Sequence, residues 1–323
     1  MKLKVKVFEL LAGRPIAILN HYTANKINVH IGERILISKF GDSVIAIVDT
    51  SKAFLRSDEI ALSREVMDAL SIREGDDVEV SLAERPQSTV FIKKKIDGAV
   101  LNKQEIEAII KDIVNNALTE AEIAYFVSAV YQNGMNNQET DDLIWAMVAS
   151  GKRLNFEGQV VDKHSIGGIA ANRTTPLVVS ICAAAGLTMP KTSSRAITSA
   201  AGTADVIESI AKVEFSTADI KRIVEKTGAC MVWGGSLGLS PADDKLIQIE
   251  RVMNMDPEAQ LLASVLSKKI SVGSKHVLID IPYGKSAKVT EKEGNILKKK
   301  FEFFGKKFGL NLKCVLTKGE ERI

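Results

Sequence analysis

A glycine-rich string at residues 163–168, KHSIGG, has the residue types of an anion site. It follows an apolar run that predicts a strand and precedes a run that predicts a helix. Backbone N–H groups in such a turn can approach an anion, and Lys163 and Ser165 add a positive charge and a hydroxyl donor. The string therefore indicates phosphate binding, with a tight turn and a solvated lysine as the alternative. For His164, a structural role as a hydrogen-bond donor is favoured over acid or base catalysis.

A second string, TSSRAITSAAGTAD at residues 192–205, is rich in hydroxyl side chains. It also contains Arg195 and Gly202, and it lies where a strand is predicted to pass into a helix. Hydroxyl and backbone N–H groups at such a passage suit a sugar phosphate, whereas helix capping by Ser199 or Thr203 is the structural alternative. Open α/β sheets bind ligands at the ends of their strands, so the two strings together favour phosphate binding.

Three further features could serve the same chemistry, although each also has a simple structural explanation. Asp256 precedes Pro257, so it is either a catalytic acid or the cap of a helix that begins at the proline. Ser264 and Lys268 are four residues apart and share a helical face, which either binds a ligand or pairs a core serine with a lysine that extends to solvent. Lys288 follows a Tyr-Gly pair and is, on local grounds, a surface lysine.

The elements that must position these residues change in character along the chain. Period-two alternation in residues 1–86 predicts strands with one short helix, a pattern that resembles half of a double-psi β-barrel. The short helix is predicted within residues 62–72, with Ser63 as its N-cap. Residues 88–98 are interpreted as a linking segment. Helical periodicity predicts an all-α lobe, in which Thr119 and Glu122 are predicted to form a capping box at the start of a helix. Alternating strands and helices predict an α/β lobe with a mixed, largely parallel sheet. The all-α lobe is expected from residues 95–155 and 240–271, and the α/β lobe from residues 156–239 and 272–323. Because its sheet is small, the α/β lobe is expected to be truncated at its C-terminal end.

The composition argues against several classes of protein. The net charge of +3 is too small to indicate a nucleic-acid partner. No uncharged apolar run is long enough to span a membrane, so no membrane partner is expected. Three scattered cysteines, Cys182, Cys230 and Cys314, indicate free thiols in a reducing compartment, and a cytoplasmic location is expected. The four histidines are dispersed, and neither a metal nor a cofactor is expected.

Taken together, these strings resemble the thymidine/pyrimidine-nucleoside phosphorylase family. KHSIGG is similar to the family's phosphate loop KHSTGG, and SSRAITSAAGTADVIES at residues 193–209 is similar to its motif S-G-R-G-x-x-H-T-G-G-T-x-D-x-x-E-S. Ser-Pro-Ala-Asp at 240–243 and the Ala-Ser-x3-Lys-Lys run at 263–269 also fit. The resemblance covers roughly residues 95–323. It implies an all-α lobe and an α/β lobe that close on a substrate, and phosphorolysis of an N-glycosidic bond with inorganic phosphate as co-substrate.

The departures from these motifs are very similar to those of an archaeal branch that cleaves AMP to the free base and ribose 1,5-bisphosphate. Ile166 stands where the nucleoside enzymes have threonine, and Ser194, Ala196 and Ser199 stand where they have glycine or histidine. A nucleotide also needs a second anion site for its 5′-phosphate, and the hydroxyl-rich second string can supply one. Phosphorolysis of AMP, and of CMP and UMP as well, is therefore expected.

The resemblance also implies a role for individual residues. Asp256 would protonate the leaving base, a contribution of about 10²–10⁴ to the rate for a well-placed acid. Lys163 and Ser165 would hold the attacking phosphate. The residues implied for AMP are Gly168, Ser194, Arg195, Ala196, Ile197, Thr198, Ser199, Thr203, Ser264 and Lys288.

Other functions stay open at this point. One is a pyrimidine-nucleoside (thymidine) phosphorylase, and a more distant one is an enzyme of the anthranilate phosphoribosyltransferase type, which uses pyrophosphate chemistry with Mg²⁺. A non-enzyme alternative is a nucleotide-binding or assembly protein without turnover. The resemblance further implies a homodimer or a larger homo-oligomer.

Overall fold

The computed structural model describes residues 1–8, 12–167, 174–196, 201–285 and 287–319. The chain divides into two compact units. The first consists of Met1–Ile92 and Asp112–Ile123, and the second of Lys93–Lys111 and Ala124–Ile323. The boundaries of the three lobes expected from the sequence stay predictions.

A closed six-stranded β-barrel forms most of the first unit and confirms the predicted N-terminal barrel. Its strands are β1 (Lys2–Val7), β2 (Ile16–Asn20), β3 (Arg34–Lys39), β4 (Asp42–Ser51), β5 (Glu59–Leu62) and β6 (Asp77–Leu82). They run in the order β1-β5-β2-β4-β3-β6, and β6 pairs with β1 to close the barrel. Two of the pairs, β1 with β5 and β2 with β4, are parallel, and the other pairs are antiparallel. Because alternate side chains of a strand point to opposite faces, the apolar residues of the alternating pattern lie in the barrel core, among them Leu3, Val5, Leu19 and Ile37.

Two short helices accompany the barrel, α1 (His21–Lys26) and α2 (Arg64–Leu70). Helix α2 lies within the segment where the sequence predicts a helix. Its N-cap position is Ser63, as predicted, although the Ser63 side chain makes no capping hydrogen bond.

Four helices follow the barrel in sequence: α3 (Ser88–Ile96), α4 (Lys103–Val114), α5 (Glu120–Asn133) and α6 (Asn137–Ser150). The interpretation of residues 88–98 as a linking segment was wrong, because most of them form α3. Lys95 on α3 is buried and donates a hydrogen bond to Glu139 on α6, with 2.7 Å between Nζ and Oε1. Helix α5 begins at the predicted capping box, in which the backbone N–H of Thr119 donates to the Glu122 carboxylate.

The α/β part begins after α6, and each of its described strand pairs is parallel. Its strands are β7 (Val161–Ser165), β8 (Met189–Ser193), β9 (Ala229–Trp233), β10 (His276–Tyr283) and β11 (Asn311–Lys318). Strands β11, β10 and β7 form one sheet, β8 and β9 form another, and a single parallel bridge from Val160 to Thr188 joins them. The prediction of an α/β lobe with a largely parallel sheet is confirmed.

The remaining helices connect or cover these strands. They are α7 (Thr174–Ala184), α8 (Thr203–Glu208), α9 (Thr217–Thr227), α10 (Pro241–Met253), α11 (Glu258–Ser271) and α12 (Glu291–Lys307). Helices α10 and α11 pack against α6. Gly151 ends α6 where the chain passes close to Leu239, and a Cβ atom at Gly151 would lie 2.0 Å from the Leu239 carbonyl oxygen. Within the part of the chain that the structure describes, no helix has the length and apolar character needed to cross a membrane.

Candidate functional site

A cavity of about 360 Å³ lies at the carboxyl ends of the parallel strands in the second unit. Its walls come from residues that follow β7, β8 and β9, from α10 and α11, and from the loop after β10. The size is within the range of about 300–1,000 Å³ that is usual for small-molecule sites. Eight of the predicted site residues line it: Ser165, Ser194, Arg195, Ala196, Thr203, Asp256, Ser264 and Lys288. The predicted residues Gly168, Ile197, Thr198 and Ser199 lie outside the described residues.

Strand β7 brings three residues of the first glycine-rich string to this edge of the sheet. Lys163 is buried and does not line the cavity; its ammonium group donates to Thr174 Oγ1 at 3.0 Å and lies 3.8 Å from the Asp280 carboxylate. Burial lowers the pKa of Lys163, and Asp280 opposes that shift. Ser165 lines the cavity at the end of the strand.

His164 also lines the cavity. Burial, followed by the ammonium groups of Lys269 and Lys191, lowers the pKa of His164 well below its usual value. Its imidazole is therefore neutral near pH 7, and its role as a structural donor stays a prediction.

Strand β8 ends in residues that the sequence analysis did not select. Lys191 lines the cavity while it is almost fully buried, and its ammonium group donates to the Thr192 carbonyl oxygen and lies 4.0 Å from Asp162. Burial and the ammonium group of Lys269 lower the pKa of Lys191 to about 7, against the pull of Asp162. Ser193 follows on the same wall, and its buried hydroxyl has no hydrogen-bond partner among the described residues. Lys191 directly precedes the hydroxyl residues of the second string, and this position is the sequence signal that could have identified it.

Arg195, predicted to bind AMP, is engaged by carboxylates. Its guanidinium forms ion pairs with Asp205, Glu208 and Glu214, and it lies over the Trp233 ring, 4.6 Å from the ring centroid. These partners, Glu208 foremost, raise the pKa of Arg195 further above its already high value. The three carboxylates outnumber the single cation, so the charge of Arg195 is already compensated within the protein.

Asp205 organises the second string. Its Oδ2 accepts hydrogen bonds from the backbone N–H groups of Ala196 and Gly202, each at 2.8 Å. Gly202 is required by the close approach of this loop, because a Cβ there would lie 2.4 Å from the Ser194 carbonyl oxygen. Helix α8 begins at Thr203 with Gly202 at the N-cap, so the alternative in which Thr203 is the cap was wrong.

Helix α11 presents Ser264 and Lys268 on one face, as their spacing predicts. Both contact Asp243 of α10: the Ser264 hydroxyl donates to Oδ2 at 3.0 Å, and the Lys268 ammonium group lies 2.5 Å from the same atom. Burial lowers the pKa of Lys268, but the carboxylates of Asp243 and Asp244 outweigh it and leave that pKa above its usual value. Lys268 therefore stays cationic beside the cavity.

Asp256 lies on the cavity wall and forms an ion pair with Lys288, the predicted ligand residue in the loop after β10. Helix α11 begins at Glu258 with Pro257 at its N-cap, so the alternative in which Asp256 caps this helix was wrong. The pairing joins the predicted acid to a predicted substrate residue 32 positions away in the chain.

Two more carboxyl groups line the cavity, and no motif in the sequence indicated them. Glu250 near the end of α10 is 7% exposed, and burial, with the charges of Asp243 and Asp256, raises the pKa of Glu250 to about 8. Burial raises the pKa of Asp244 to about 6, with Lys268 opposing and Asp243 adding to the shift. Nothing in the sequence around Glu250 or Asp244 indicates that either carboxyl group is buried.

The charges around the cavity favour an anionic ligand. Six lining side chains carry cationic groups: Lys191, Arg195, Arg251, Lys268, Lys269 and Lys288. Three lining side chains carry carboxyl groups: Asp244, Glu250 and Asp256. Cations at the ends of parallel strands can hold phosphoryl oxygens, and carboxyl groups close by can exchange a proton with a bound molecule. Among the described residues, no group of three histidine, cysteine, aspartate or glutamate side chains is arranged to hold a metal ion.

The architecture matches that of a glycosyl transferase family. A model for the helical bundle domain of a glycosyl transferase family matches residues 89–151, and a model for the α/β domain of that family matches residues 157–296. Together the two models cover more than half of the chain, and the chain belongs to this family.

Among the relatives in this family are archaeal AMP phosphorylases. The AMP phosphorylase of Methanococcoides burtonii is 44% identical over 321 residues, which are 99% of this chain and 63% of that protein. The AMP phosphorylase of Thermococcus kodakarensis is 45% identical over 325 residues, which are 100% of this chain and 64% of that protein. The chain thus spans less than two thirds of the length of these relatives.

A solved structure of similar fold is the anthranilate phosphoribosyltransferase from Thermus thermophilus. The TM-score is 0.54 at 17% sequence identity, and the match covers 72% of this chain and 67% of that one. At this identity the likeness supports the fold and says nothing of the ligand.

Proposed function

We propose that the chain carries the site for phosphorolysis of AMP, in which inorganic phosphate displaces adenine and leaves ribose 1,5-bisphosphate. The observation that carries the proposal is the composition of one cavity. More of its lining side chains carry cationic groups than carboxyl groups, and both kinds are present. Phosphorolysis of a nucleotide needs sites for two anions, the attacking phosphate and the 5′-phosphate, and a proton for the leaving base. The naming of the relatives as AMP phosphorylases supports the same conclusion.

In the proposed mechanism, the first string holds inorganic phosphate, and the buried charge of Lys163 in that string stabilises the anion without lining the cavity. Residues of the second string hold the nucleotide. The buried cations Lys191 and Lys268 add to this anion-binding environment. As the bond between C1′ and the base breaks, positive charge develops on the sugar and negative charge on the base. The bound phosphate forms the new bond to C1′, and the predicted acid Asp256 gives the base a proton.

A phosphate-dependent release assay tests this proposal. AMP, CMP, UMP, adenosine, thymidine and uridine are incubated with the protein with and without inorganic phosphate, and free base is measured by chromatography. We expect base release from AMP that requires phosphate, with ribose 1,5-bisphosphate identified by ³¹P NMR. Turnover of thymidine without turnover of AMP would instead indicate a pyrimidine-nucleoside phosphorylase.

Two other outcomes would reject the proposal in different ways. AMP binding in a calorimeter without release of adenine would indicate a nucleotide-binding protein. Activity that requires Mg²⁺ and uses pyrophosphate would indicate phosphoribosyl transfer. We expect neither, because no metal or cofactor is part of the proposed reaction.

Assembly and location belong to the same proposal. We expect homodimers or larger homo-oligomers in a reducing, cytoplasmic environment. Light scattering on the purified protein would measure its oligomeric state. Alkylation of its cysteine thiols in intact cells would measure whether they are reduced.

A further inference from the structure

Glu250 and Asp256 both line the cavity, and they lie before and after the end of α10 in the chain. The helix ends at Met253, Asn254 takes a left-handed conformation, and the Met255 N–H donates to the Glu250 carbonyl oxygen at 3.0 Å. This turn brings the chain back on itself, so that both carboxyl groups reach the cavity.

The two carboxyl groups differ in their partners. Asp256 is paired with the ammonium group of Lys288. Glu250 is 7% exposed, and among the described residues its carboxyl group makes no hydrogen bond and no ion pair. A buried carboxylate without a compensating partner is costly, whereas the protonated form removes most of that cost.

The charges that face Glu250 come from three parts of the chain. They are Asp243 on α10 itself, Asp256 in the link to α11 with Lys288 in the loop after β10, and Lys268 on α11. Burial is the largest influence, the two carboxylates add to it, and the two ammonium groups oppose it. The result raises the pKa of Glu250 to about 8, so Glu250 holds a proton at pH 7.

We propose that Glu250 supplies the proton that Asp256 passes to the departing base. This inference rests on the proposed phosphorolysis of AMP and assigns the source of its proton. Glu250 acts through Asp256 and is a positioning residue, whereas Asp256 contacts the base.

The proton transfer balances in three steps. When the nucleotide binds, the Lys288 ammonium group leaves Asp256 for the nucleotide. The Glu250 O–H proton then moves to the Asp256 carboxylate through a water molecule in the cavity, because the two carboxyl groups are not directly hydrogen-bonded. The Asp256 O–H proton then moves to a ring nitrogen of the base as the bond from C1′ to the base breaks and the bond from C1′ to phosphate oxygen forms. Glu250, left as a carboxylate, takes a proton from water after the products leave.

Kinetics of Glu250→Gln and Asp256→Asn test the proposal with two substrates. One substrate is AMP, and the other is 4-nitrophenyl ribofuranoside 5-phosphate, whose phenolate leaves without taking up a proton. With AMP we expect both variants to lose about tenfold or more in kcat at pH 7, and with the activated substrate to lose less than about threefold. Equal losses on both substrates would overturn the proposal, because they would indicate a structural role.

The pH dependence supplies a readout that a structural role would not change. We expect kcat/KM of the wild type on AMP to fall above about pH 8, as Glu250 loses its proton. Glu250→Gln should lack this fall, Glu250→Asp should restore it, and the control Glu225→Gln, on the exposed side of α9, should match the wild type. A fall above pH 8 that persists in Glu250→Gln would overturn the proposal.

A measurement that needs no activity separates this inference from the proposed function. The carboxyl carbon of Glu250 is followed by NMR in protein labelled with ¹³C-glutamate and is assigned by its loss in Glu250→Gln. We expect the titration of the Glu250 carboxyl carbon to have its midpoint near pH 8. In Asp256→Asn this midpoint should move to lower pH, because a like charge has been removed. A midpoint in the usual range, or one that Asp256→Asn does not move, would overturn the inference even if AMP is cleaved. If the midpoint and its shift are as expected but no nucleotide releases its base, both the proposed function and the proton delivery are rejected. Glu250 and Asp256 would then be only a pair of interacting carboxyl groups.

Discussion

The ammonium group of Lys269 lies 2.6 Å from Oδ2 of Asp162, and both side chains are 1% exposed. This buried ion pair joins α11 to β7, and therefore joins the wall that carries Ser264 and Lys268 to the strand that leads into the first glycine-rich string. The site depends on this connection, because Ser264 and the first glycine-rich string lie on different elements.

Removal of Lys269 should therefore be destabilising. In Lys269→Met the Asp162 carboxylate loses its close partner, and the cation that remains near it among the described residues is Lys191 at 4.0 Å. We expect the free energy of unfolding in urea to fall by about 3–5 kcal/mol. The double variant Lys269→Met with Asp162→Asn should recover much of the loss, and the surface control Lys292→Met should change stability by less than about 0.5 kcal/mol. A loss below about 1 kcal/mol in the single variant would show that the pair contributes little.

Asp256→Asn should lower turnover far more than it lowers AMP affinity. An acid acts in the transition state, so we expect kcat to fall by about 10²–10⁴ while the dissociation constant of AMP from calorimetry changes by only a few fold. Asp219→Asn, at the exposed start of α9, is the matched control. Similar losses in both quantities, or no loss at all, would contradict a role for Asp256 as the acid.

Lys163→Ala should raise the requirement for inorganic phosphate selectively. Lys163 is the middle residue of β7, and its buried ammonium group donates to Thr174 and lies 3.8 Å from Asp280. We expect KM for phosphate to rise at least about tenfold, because a buried positive charge beside the predicted phosphate loop is lost, with a much smaller change for AMP. Lys221→Ala on the surface of α9 serves as the control. A change in AMP binding alone would mean that the two anion sites have been exchanged.

Gly202→Ala should disrupt the nucleotide loop, whereas Gly234→Ala should be tolerated. A Cβ at Gly202 would lie 2.4 Å from the Ser194 carbonyl oxygen, and backbone atoms cannot move aside as a side chain can. A Cβ at Gly234, which lines the same cavity, would make an ordinary contact at 3.6 Å. We expect KM for AMP to rise at least about tenfold in Gly202→Ala and less than about threefold in Gly234→Ala, as measured by base release. Equal behaviour of the two variants would contradict the close approach.

Glu250 should also make stability depend on pH. Its pKa is raised from 4.5 to about 8 in the folded protein, so the folded state binds more protons than the unfolded state between these values. Its contribution to stability is therefore fully present below about pH 4.5 and is lost as the pH rises through about 8. We expect Glu250→Gln to raise Tm relative to the wild type at pH 8.5 and to change it little at pH 4.5, as followed by circular dichroism. A difference in Tm that is the same at both pH values would contradict the raised pKa.

Local patterns in the sequence were sufficient wherever neighbouring residues determine the structure. The capping box of Thr119 and Glu122 is confirmed because its hydrogen bonds join residues three positions apart. Ser264 and Lys268 share a face because four residues make about one helical turn. The barrel strands and the parallel sheet followed from period-two alternation and from the alternation of strands with helices.

The same local approach was wrong where a distant partner decided the outcome. Residues 88–98 carry three consecutive lysines and were interpreted as a link, yet Lys95 is buried in α3 because Glu139 on α6 compensates its charge. Asp256 has the pattern of a helix cap, yet it is paired with Lys288. Neither partner can be recognised from the sequence around the residue.

By itself, the sequence determined the classes of element, the two strings at the ends of strands, and the resemblance that selects Asp256 and Lys163. Only the tertiary structure decided which charges meet: Arg195 with three carboxylates, Lys269 with Asp162, and Glu250 with no cationic partner among the described residues. The physical reason is that helix and strand propensity act over a few residues, whereas burial and Coulomb interactions depend on distances between segments that the fold brings together.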